Sequence, residues 1–573
     1  MLKKKYTVLG INFGGHDTSA ALGINGEIIA ACEQERYDKV KHSKKFPINA
    51  IKDCLKIAKI KINDVDEIAL NNNFYEMIKN IYLLPAIKDK KRLSFLLNDI
   101  ERIKGYDNQE NTVREKLNFK KKITQHRHHY CHLTSAYIPS GFKNSLIMSN
   151  DGMGENESGM MGIGENGKIK IIQSGPMYPN SLGLIYAAIT FYLGWKSNSD
   201  EGIVMGLAPF GNAHAKALGK KSYIEIFRKI IKLKKDATYE INKDWISYHL
   251  QRDTWISEKF IQTFGKKRKS NSKITNVHKN IAAALQLRLE EVTLSNLRFY
   301  SKKYKIKNLA IAGGVGLNCS LNGKIQKSKI FDKIFIQPAS GDSGTAIGAV
   351  YASFENIFKK PYSIKPRLNN YLGSRYSSSN VLKYLKKNKV KFECPKNPYE
   401  KIASYLENGK IVANFQGAAE FGPRALGNRS ILCKPFPAQM KDYLNLKVKF
   451  RENFRPFAPA ILEEDCQEYF DIDQSSPHML IACKANKRVR NKIPAVIHID
   501  QSCRVQTVNE KNNNIFYRLI KNFKKNTGCP VLLNTSFNIK GQPIVNSIED
   551  AVNTFYNTKI DILFIDKYIL TKK

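Results

Sequence analysis

Residues 308–325 read NLAIAGGVGLNCSLNGKI, and residues 333–354 read KIFIQPASGDSGTAIGAVYASF. Each passes from a short apolar run, through a loop containing glycine, into a segment with helical spacing. Two strand–loop–helix units in succession argue for an α/β domain. Working outward, residues 6–12 (YTVLGIN) read as a strand, FGGHDTSAAL as a turn and GEIIAACEQE as a second strand. This is a hairpin whose polar tip can close over a phosphate. Residues 47–60 have helical period with Pro47 at the start, and 66–70 form a short strand. SLIMSNDGMGE (145–155) is an apolar strand ending in acidic residues and glycine. GMMGIGENGKIKIIQS follows as a hairpin turning at Asn166-Gly167, and 276–305 is a long helix.

Around 359–376 the sequence becomes KKPYSIKPRLNNYLGSRY, with two prolines and many polar residues. That composition marks a domain boundary, giving a first domain over 1–362 and a second over 371–573. The second is α/β again. KIASYLENG and MKDYLNLKV read as helices, KIVANFQG as a strand, and CPVLLNTSF as a strand entering a loop. Residues 212–275 are rich in lysine and weakly patterned, as in an insertion within the first domain. The sequence shows no internal repeat.

The 573 residues carry 93 Lys+Arg against 51 Asp+Glu, a net charge of +42. Lysine is spread along the whole chain among many Asn and Ile, which argues against a nucleic-acid partner and for small anionic ligands drawn by a positive field. Ten cysteines without a C-x-x-C pair suggest reduced thiols and a cytoplasmic location. The N-terminal apolar run is short and broken by Asn12, His16 and Asp17, unlike a signal peptide. No run of 18 apolar residues exists, so neither a membrane span nor a membrane partner is expected.

QHRHHYCH (125–132) holds four of the eleven histidines. His128 and His132 are four apart, which on a helix puts both rings on one face. A zinc protease would need Glu after the first His, and His129 stands there. Asp151 and Asp342 end strands at loop edges, where ligands collect. Two imidazoles with two carboxylates make a mixed N/O set suited to Fe(II), Zn(II) or Mn(II). His126 is expected to be exposed.

Taken together, FGGHDTSAAL, HHYCHLTSAYIPSGF, NDGMGE, EGIVMGLAPFG, GGVGLNCSLNGKI and GDSGTAIGA resemble the O-carbamoyltransferases of the nodulation-protein-U and cephalosporin-carbamoyltransferase type. FGPRALGNRSIL, LNLKVKFRENFRPFAPAIL, CRVQTV and LLNTSFNIKGQPIV continue the likeness in order. The resemblance implies an N-terminal domain with the actin/sugar-kinase ATPase fold and a C-terminal YrdC-like α/β domain. It implies that carbamoyl phosphate and ATP give carbamoyl-adenylate in the second domain, and that a hydroxyl takes the carbamoyl group in the first. The family's metal motif falls on His128, His132, Asp151 and Asp342.

Attack of an alcohol on that mixed anhydride needs charge neutralisation, a positioned carbonyl and a proton acceptor. His16, in a glycine-rich turn, is the first candidate base, Asp17 the second and His129 the third. Gly313 and Gly314 let backbone approach a nucleotide, and Asn318 can donate to ribose or phosphate. VKFRENFR supplies Lys449, Arg451 and Arg455. Strand alternation would put Lys449 and Arg451 on one face, matching the K-x-R pattern of YrdC proteins. Ser536 and Asn538 match their S-x-N pattern, with Arg424 and Arg504 completing a basic lining for phosphates. Triphosphate implies Mg²⁺. The acceptor implied is a hydroxyl-bearing glycoside or sugar, selected by residues 71–125 and 212–275. A homodimer stays open. The rival assignments are a tRNA threonylcarbamoyl-type transferase and a nucleotide-binding scaffold that has lost catalysis.

Overall fold

The computed structural model describes residues 5–217, 221–250, 254–358, 366–367 and 369–572. The chain divides into two compact units: Met1–Ile28 with Lys44–Ile48 and Ile60–Pro366, and Ile29–Ser43 with Asn49–Lys59 and Arg367–Lys573. The division falls inside the expected boundary stretch, of which 359–365 and 368 lie outside the described residues. Residues 29–43 and 49–59, expected in the first domain, cluster with the second. Specific bonds hold them there: Ala31 N donates to Leu372 O (3.1 Å), Arg36 Nη2 to Gly422 O (2.7 Å), and Ser374 Oγ to Asp53 Oδ2 (2.6 Å).

The first unit holds two five-stranded sheets, except for the strand Glu27–Glu33, which belongs to it only up to Ile28. β1 (Thr7–Asn12), β2 (Ser19–Ile24), β3 (Glu27–Glu33), β4 (Glu67–Leu70) and β5 (Lys122–Gln125) run in the order β3-β2-β1-β4-β5. β1 is antiparallel to β2 and parallel to β4, which is parallel to β5. Next come β6 (Asn144–Asn150), β7 (Gly159–Glu165), β8 (Lys168–Ser174), a two-stranded ribbon of β9 (Ile231–Leu233) and β10 (Tyr239–Ile241), then β11 (Asn308–Ala312) and β12 (Lys333–Ile336). The second sheet runs β12-β11-β6-β7-β8, with β6–β7 and β7–β8 antiparallel and β6–β11–β12 parallel. The two sheets therefore share one topology, a hairpin meander followed by two parallel strands. This doubled sheet realises the expected α/β domain. The repeat invisible in the sequence exists at the level of strand order, which patterning fixes without residue identity.

Each sheet receives a helix from the other half of the unit. Helix His128–Ser140 follows β5 in sequence but packs on β6, β7 and β11, whereas helix Thr345–Phe358 follows β12 and packs on β1 and β2. The two helices also pack on each other. Their crossing needs glycine: a Cβ on Gly348 would stand 1.8 Å from Cys131 O. The β7–β8 turn is the expected Asn166-Gly167, both residues at positive φ. Residues 212–275 are more ordered than their patterning suggests. They hold helices Tyr223–Ile230 and Glu258–Phe264, the ribbon, and a packed cluster of Trp245, Phe260 and Phe264, with 218–220 and 251–253 outside the described residues.

The second unit carries a mixed eight-stranded sheet. Its strands are β13 (Val412–Phe415), β14 (Arg429–Cys433), β15 (Ala458–Leu462), β16 (Ile481–Lys484), β17 (Ser502–Val508), β18 (Val531–Ser536), β19 (Ile562–Ile565) and β20 (Tyr568–Thr571). Their order is β16-β17-β15-β18-β14-β13-β19-β20. The expected strand through Lys449 and Arg451 is absent. These residues follow helix Gln439–Lys447 in a turn where Phe450 adopts a left-handed φ of 48°. That reversal, not strand alternation, sets their directions.

Candidate functional site

In the first unit, helix His128–Ser140 is aimed by its own N-terminus. The Glu155 carboxylate, buried, accepts from His128 N (2.9 and 3.2 Å) and from Asn73 N (2.9 Å), occupying orphan donors of the first turn. Sequence reasoning passed over Glu155, although it ends the NDGMGE run. Asp151 follows β6 directly, and Asp342 opens the turn that leads into helix Thr345–Phe358.

These four side chains meet. His132 Nε2 lies 2.8 Å from Asp151 Oδ2 and 3.9 Å from Asp342 Oδ1, and His128 Nε2 lies 3.7 and 3.6 Å from the same atoms. The two Nε2 atoms are 3.2 Å apart, and one ligand atom from each of the four residues falls within 4.8 Å of all the others. Asp151 Oδ2 approaches the imidazoles closely yet has no hydrogen-bond partner, and neither does Nδ1 of His128 or His132. The four groups converge on a shared point, and the N₂O₂ donor set fits a divalent transition metal. Burial opposes charge on His128, but Asp342 and Asp151 outweigh it and raise the ring well above the ordinary histidine range. Burial likewise opposes ionisation of Asp151, yet the two imidazoles hold its carboxyl well below the usual range.

Gly314 lines this cluster: a Cβ there would stand 2.9 Å from Asp151 Oδ1. Gly313, at φ 86°, runs so close beneath Asn150 that a Cβ would fall 2.2 Å from its carbonyl oxygen. Both glycines keep the loop against the end of β6. Asn318 plays a different part from the one expected. Its Oδ1 caps helix Cys319–Lys327 by accepting from Leu321 N (2.9 Å), and its Nδ2 donates to Gln286 Oε1 (2.8 Å), inside the protein.

His16 and Asp17 sit at the tip of the β1–β2 hairpin, tied back by Asn12 Nδ2 donating to Asp17 O (2.8 Å). His16 Nδ1 is 2.9 Å from Asp17 Oδ2, and Nε2 is 3.8 Å from Asp342 Oδ2. The His16 ring keeps 38% side-chain exposure. Burial would lower its pKa, but Asp342 and Asp17 prevail and raise it to about 10. His129 is unsuited to act as a base. It is fully buried, with Nε2 donating to Glu157 O (3.0 Å) and Nδ1 accepting from Ser149 Oγ (2.8 Å), and burial beside His128 and His132 holds it neutral. His126, expected to be exposed, is buried against Ser353 Oγ (2.8 Å), and burial lowers it to about 4.

The second unit gathers cations. Lys449, buried, donates to Asn538 Oδ1 (2.6 Å), Ser536 O (2.7 Å) and Asn538 O (2.9 Å), with Ser536 Oγ at 3.3 Å. The two short patterns noted in the sequence thus converge. Arg451 donates from Nε to Asn445 Oδ1 (2.7 Å) and stacks on Phe457 at 4.6 Å. Burial, then Arg451, Arg455 and Lys41, push the Lys449 ammonium well below its ordinary pKa. Burial, then Arg455 and Arg504, do the same to Arg451, against a single opposing carboxylate, Glu452. Lys449, buried, and Arg451, Arg455 and Arg504, partly buried, thus stand as like charges in one neighbourhood. Arg424 is carried separately, half-buried in the loop between β13 and β14.

That loop is organised by Arg429, which the sequence reading did not single out. Fully buried, Arg429 donates to the carbonyls of Gln416 (2.5 Å), Asn428 (3.0 Å), Ser374 (3.2 Å) and Gly417 (3.3 Å) and lies 3.7 Å from the Phe415 ring. Its only sequence signal is a charge at the head of the apolar strand RSILC.

Residues 7–351 match the family model described as Carbamoyltransferase N-terminus, and residues 403–572 match Carbamoyltransferase C-terminus. The chain is 35% identical over 565 residues to Nodulation protein NolNO of Sinorhizobium fredii, covering 97% of this chain and 79% of that protein. It is 34% identical over 606 residues to an uncharacterized protein of Synechocystis sp., covering 99% and 96%. Among solved structures, full-length HypF in its phosphate- and nucleotide-bound form matches at 13% identity and a TM-score of 0.31, over 63% of this chain and 58% of that one.

Proposed function

Because this chain belongs to the carbamoyltransferase family, we propose that it is an ATP-dependent O-carbamoyltransferase working in two stages. The chain is a carbamoyltransferase enzyme. In the second unit, Lys449, Arg451, Arg455 and Arg504 bind the phosphates of ATP, with its Mg²⁺, and of carbamoyl phosphate. Water cleaves carbamoyl phosphate to carbamate and inorganic phosphate, and the carbamate oxygen attacks the α-phosphorus of ATP, giving carbamoyl-adenylate as pyrophosphate leaves. Ser536 and Asn538 hold the Lys449 ammonium in place, and Asn445 and Phe457 orient the Arg451 fork. In the first unit a hydroxyl of a sugar or natural product takes the carbamoyl group, and AMP leaves.

His128, His132, Asp151 and Asp342 would hold a divalent cation, Fe(II) or another transition metal. When bound, it supplies Lewis-acid neutralisation of the adenylate phosphate. Asp17 fixes the Nδ1 side of His16, leaving Nε2 as the proton-handling atom. Nε2, 3.8 Å from Asp342 Oδ2, is the atom of His16 that would take the hydroxyl proton. Glu155 positions the histidine helix, and Gly314 leaves room for Asp151.

The observation that carries this assignment is the convergence of two imidazoles and two carboxylates within 4.8 Å in the first unit. The test is product analysis after incubation with ATP, carbamoyl phosphate, a divalent metal and a panel of glycosides. The expected result is an acceptor heavier by one carbamoyl group, with stoichiometric AMP. Pyrophosphate and AMP release under no condition would refute the proposal, and strict dependence on added tRNA would transfer it to the RNA-modifying rival.

A further inference from the structure

The helical segment between β4 and β5 is apolar on both sides. Its inner side is packed: Phe74, Met77, Ile81 and Phe95 are buried, Tyr82 stacks on Phe95 at 5.6 Å, and Tyr82 OH donates to Asp99 Oδ2 (2.7 Å). Its outer side is apolar too. Leu83, Leu84, Ile87, Leu93, Leu97 and Ile100 are all exposed, Ile87 to 80% and Leu97 to 56%. Leu83 and Ile87, like Leu93 and Leu97, are four apart within helical turns, so each pair shares a face. Elsewhere the described residues gather at most three exposed large hydrophobics in one stretch, at Tyr443, Leu446 and Phe450, whereas this segment carries six. A helix apolar all round implies that something covers its outer side.

Charge identifies the cover. Residues 79–104 hold seven basic side chains against three acidic ones, and Lys88, Lys90 and Lys91 are exposed on the turn joining the two leucine-bearing helices. The acids are engaged locally. Asp89 accepts from Lys91 N (2.9 Å), Asp99 takes the Tyr82 hydroxyl, and Glu101 pairs with Lys104 (2.9 Å). The turn is also anchored. Arg92, buried, donates to Ile81 O (2.6 Å) and to His249 O and lies 4.6 Å from the Phe95 ring. A firm apolar platform fringed by lysines fits an anionic lipid surface, where leucines enter the acyl boundary and ammonium groups meet phosphates. A second copy fits poorly, since a chain of net charge +42 would set one basic fringe against another. No helix among the described residues is long and apolar enough to cross a membrane, so the mode is lying on the surface.

We infer that the segment from Leu83 to Ile100 docks the first unit on anionic membrane surfaces. This revises the expectation of no membrane partner, which rested on the absence of a spanning run. The test is vesicle co-sedimentation of the full chain, comparing phosphatidylcholine with mixed phosphatidylcholine/phosphatidylglycerol vesicles. Binding is expected only to the anionic vesicles and is released by raising salt. Leu84→Ser/Ile87→Ser/Leu97→Ser weakens it by at least about tenfold. Lys88→Glu/Lys90→Glu/Lys91→Glu weakens it by at least about a hundredfold, from about fivefold per lysine removed. Both variants alter exposed side chains only, and unchanged circular dichroism and an unchanged thermal unfolding midpoint report that the first unit remains folded. Wild-type binding to neither vesicle, or equal binding by the folded variants, overturns the inference. So does a wild-type dimer that the leucine variant converts to monomer without any vesicle binding, which would give the face to a second copy.

Discussion

Gly314→Ala tests the proposed metal centre without removing any ligand. The new methyl would sit 2.9 Å from Asp151 Oδ1, so the carboxylate has to retreat by about half an ångström to reach ordinary contact. It has nowhere free to go. Oδ1 accepts from Gly152 N at 2.7 Å, and Oδ2 faces His132 Nε2 at 2.8 Å. Retreat strains one charge-assisted contact and overpacks the loop, together about 2–4 kcal/mol, or roughly 30- to 1000-fold in metal affinity. Gly341→Ala is the control. Gly341 immediately precedes Asp342 at an ordinary φ of −74°, and its nearest neighbour to a new Cβ is Leu317 Cδ1 at 4.0 Å. That variant should bind metal within about threefold of wild type. Titration with Co²⁺, read in the visible spectrum, and metal content after dialysis measure both. Wild-type affinity in a folded Gly314→Ala protein, or equal losses in the two variants, would refute the reasoning.

His132→Ala should abolish divalent-metal retention and carbamoyl transfer while leaving carbamoyl-phosphate-dependent pyrophosphate release intact, as followed by a coupled phosphate assay and acceptor mass. Lys449→Met should do the converse, lowering pyrophosphate release by roughly 10²–10³-fold with metal content unchanged. Arg429→Ala should lower the unfolding free energy of the second unit by at least about 3 kcal/mol in urea titrations, because four carbonyls lose their donor, and Arg429→Lys should not restore it. His249, buried, is lowered from 6.5 to about 4 by burial and by Lys243 and Arg92. The unfolded chain therefore binds the extra proton between those values. The contribution is complete above pH 6.5 and falls by up to about 3 kcal/mol as pH drops to 4. His249→Gln should flatten that part of the stability profile, measured as urea midpoints at several pH values.

The strand–loop–helix units and the His128/His132 pair were legible because they depend on short-range pattern: an apolar run, a glycine, an i,i+4 spacing. That Asp151 and Asp342 join the pair came from the position of each at a loop edge and from the family resemblance. What escaped depends on tertiary partners. His126 looks like a polar residue beside a turn, yet it is buried by Ser353, 227 positions away. His129 has the chemistry of a base, and only Ser149 and the Glu157 carbonyl reveal that both nitrogens are committed. The direction of Lys449 comes from the left-handed Phe450, which no hydropathy pattern marks. Membership of residues 29–43 and 49–59 in the second unit rests on single buried bonds such as Arg36 to Gly422, which leave no periodic trace.

The exchange of helices between the two sheets has a consequence for how the first unit assembles. The histidines ride on a helix donated by the first half, and both aspartates come from the second, so the halves are clasped before the donor set exists. Cutting the chain at the short stretch between Ser140 and Asn144 would yield two fragments, each missing a lid for its own sheet and half of the chelating groups. Neither should retain a transition metal alone, and mixing them should restore retention in proportion to the clasped complex formed.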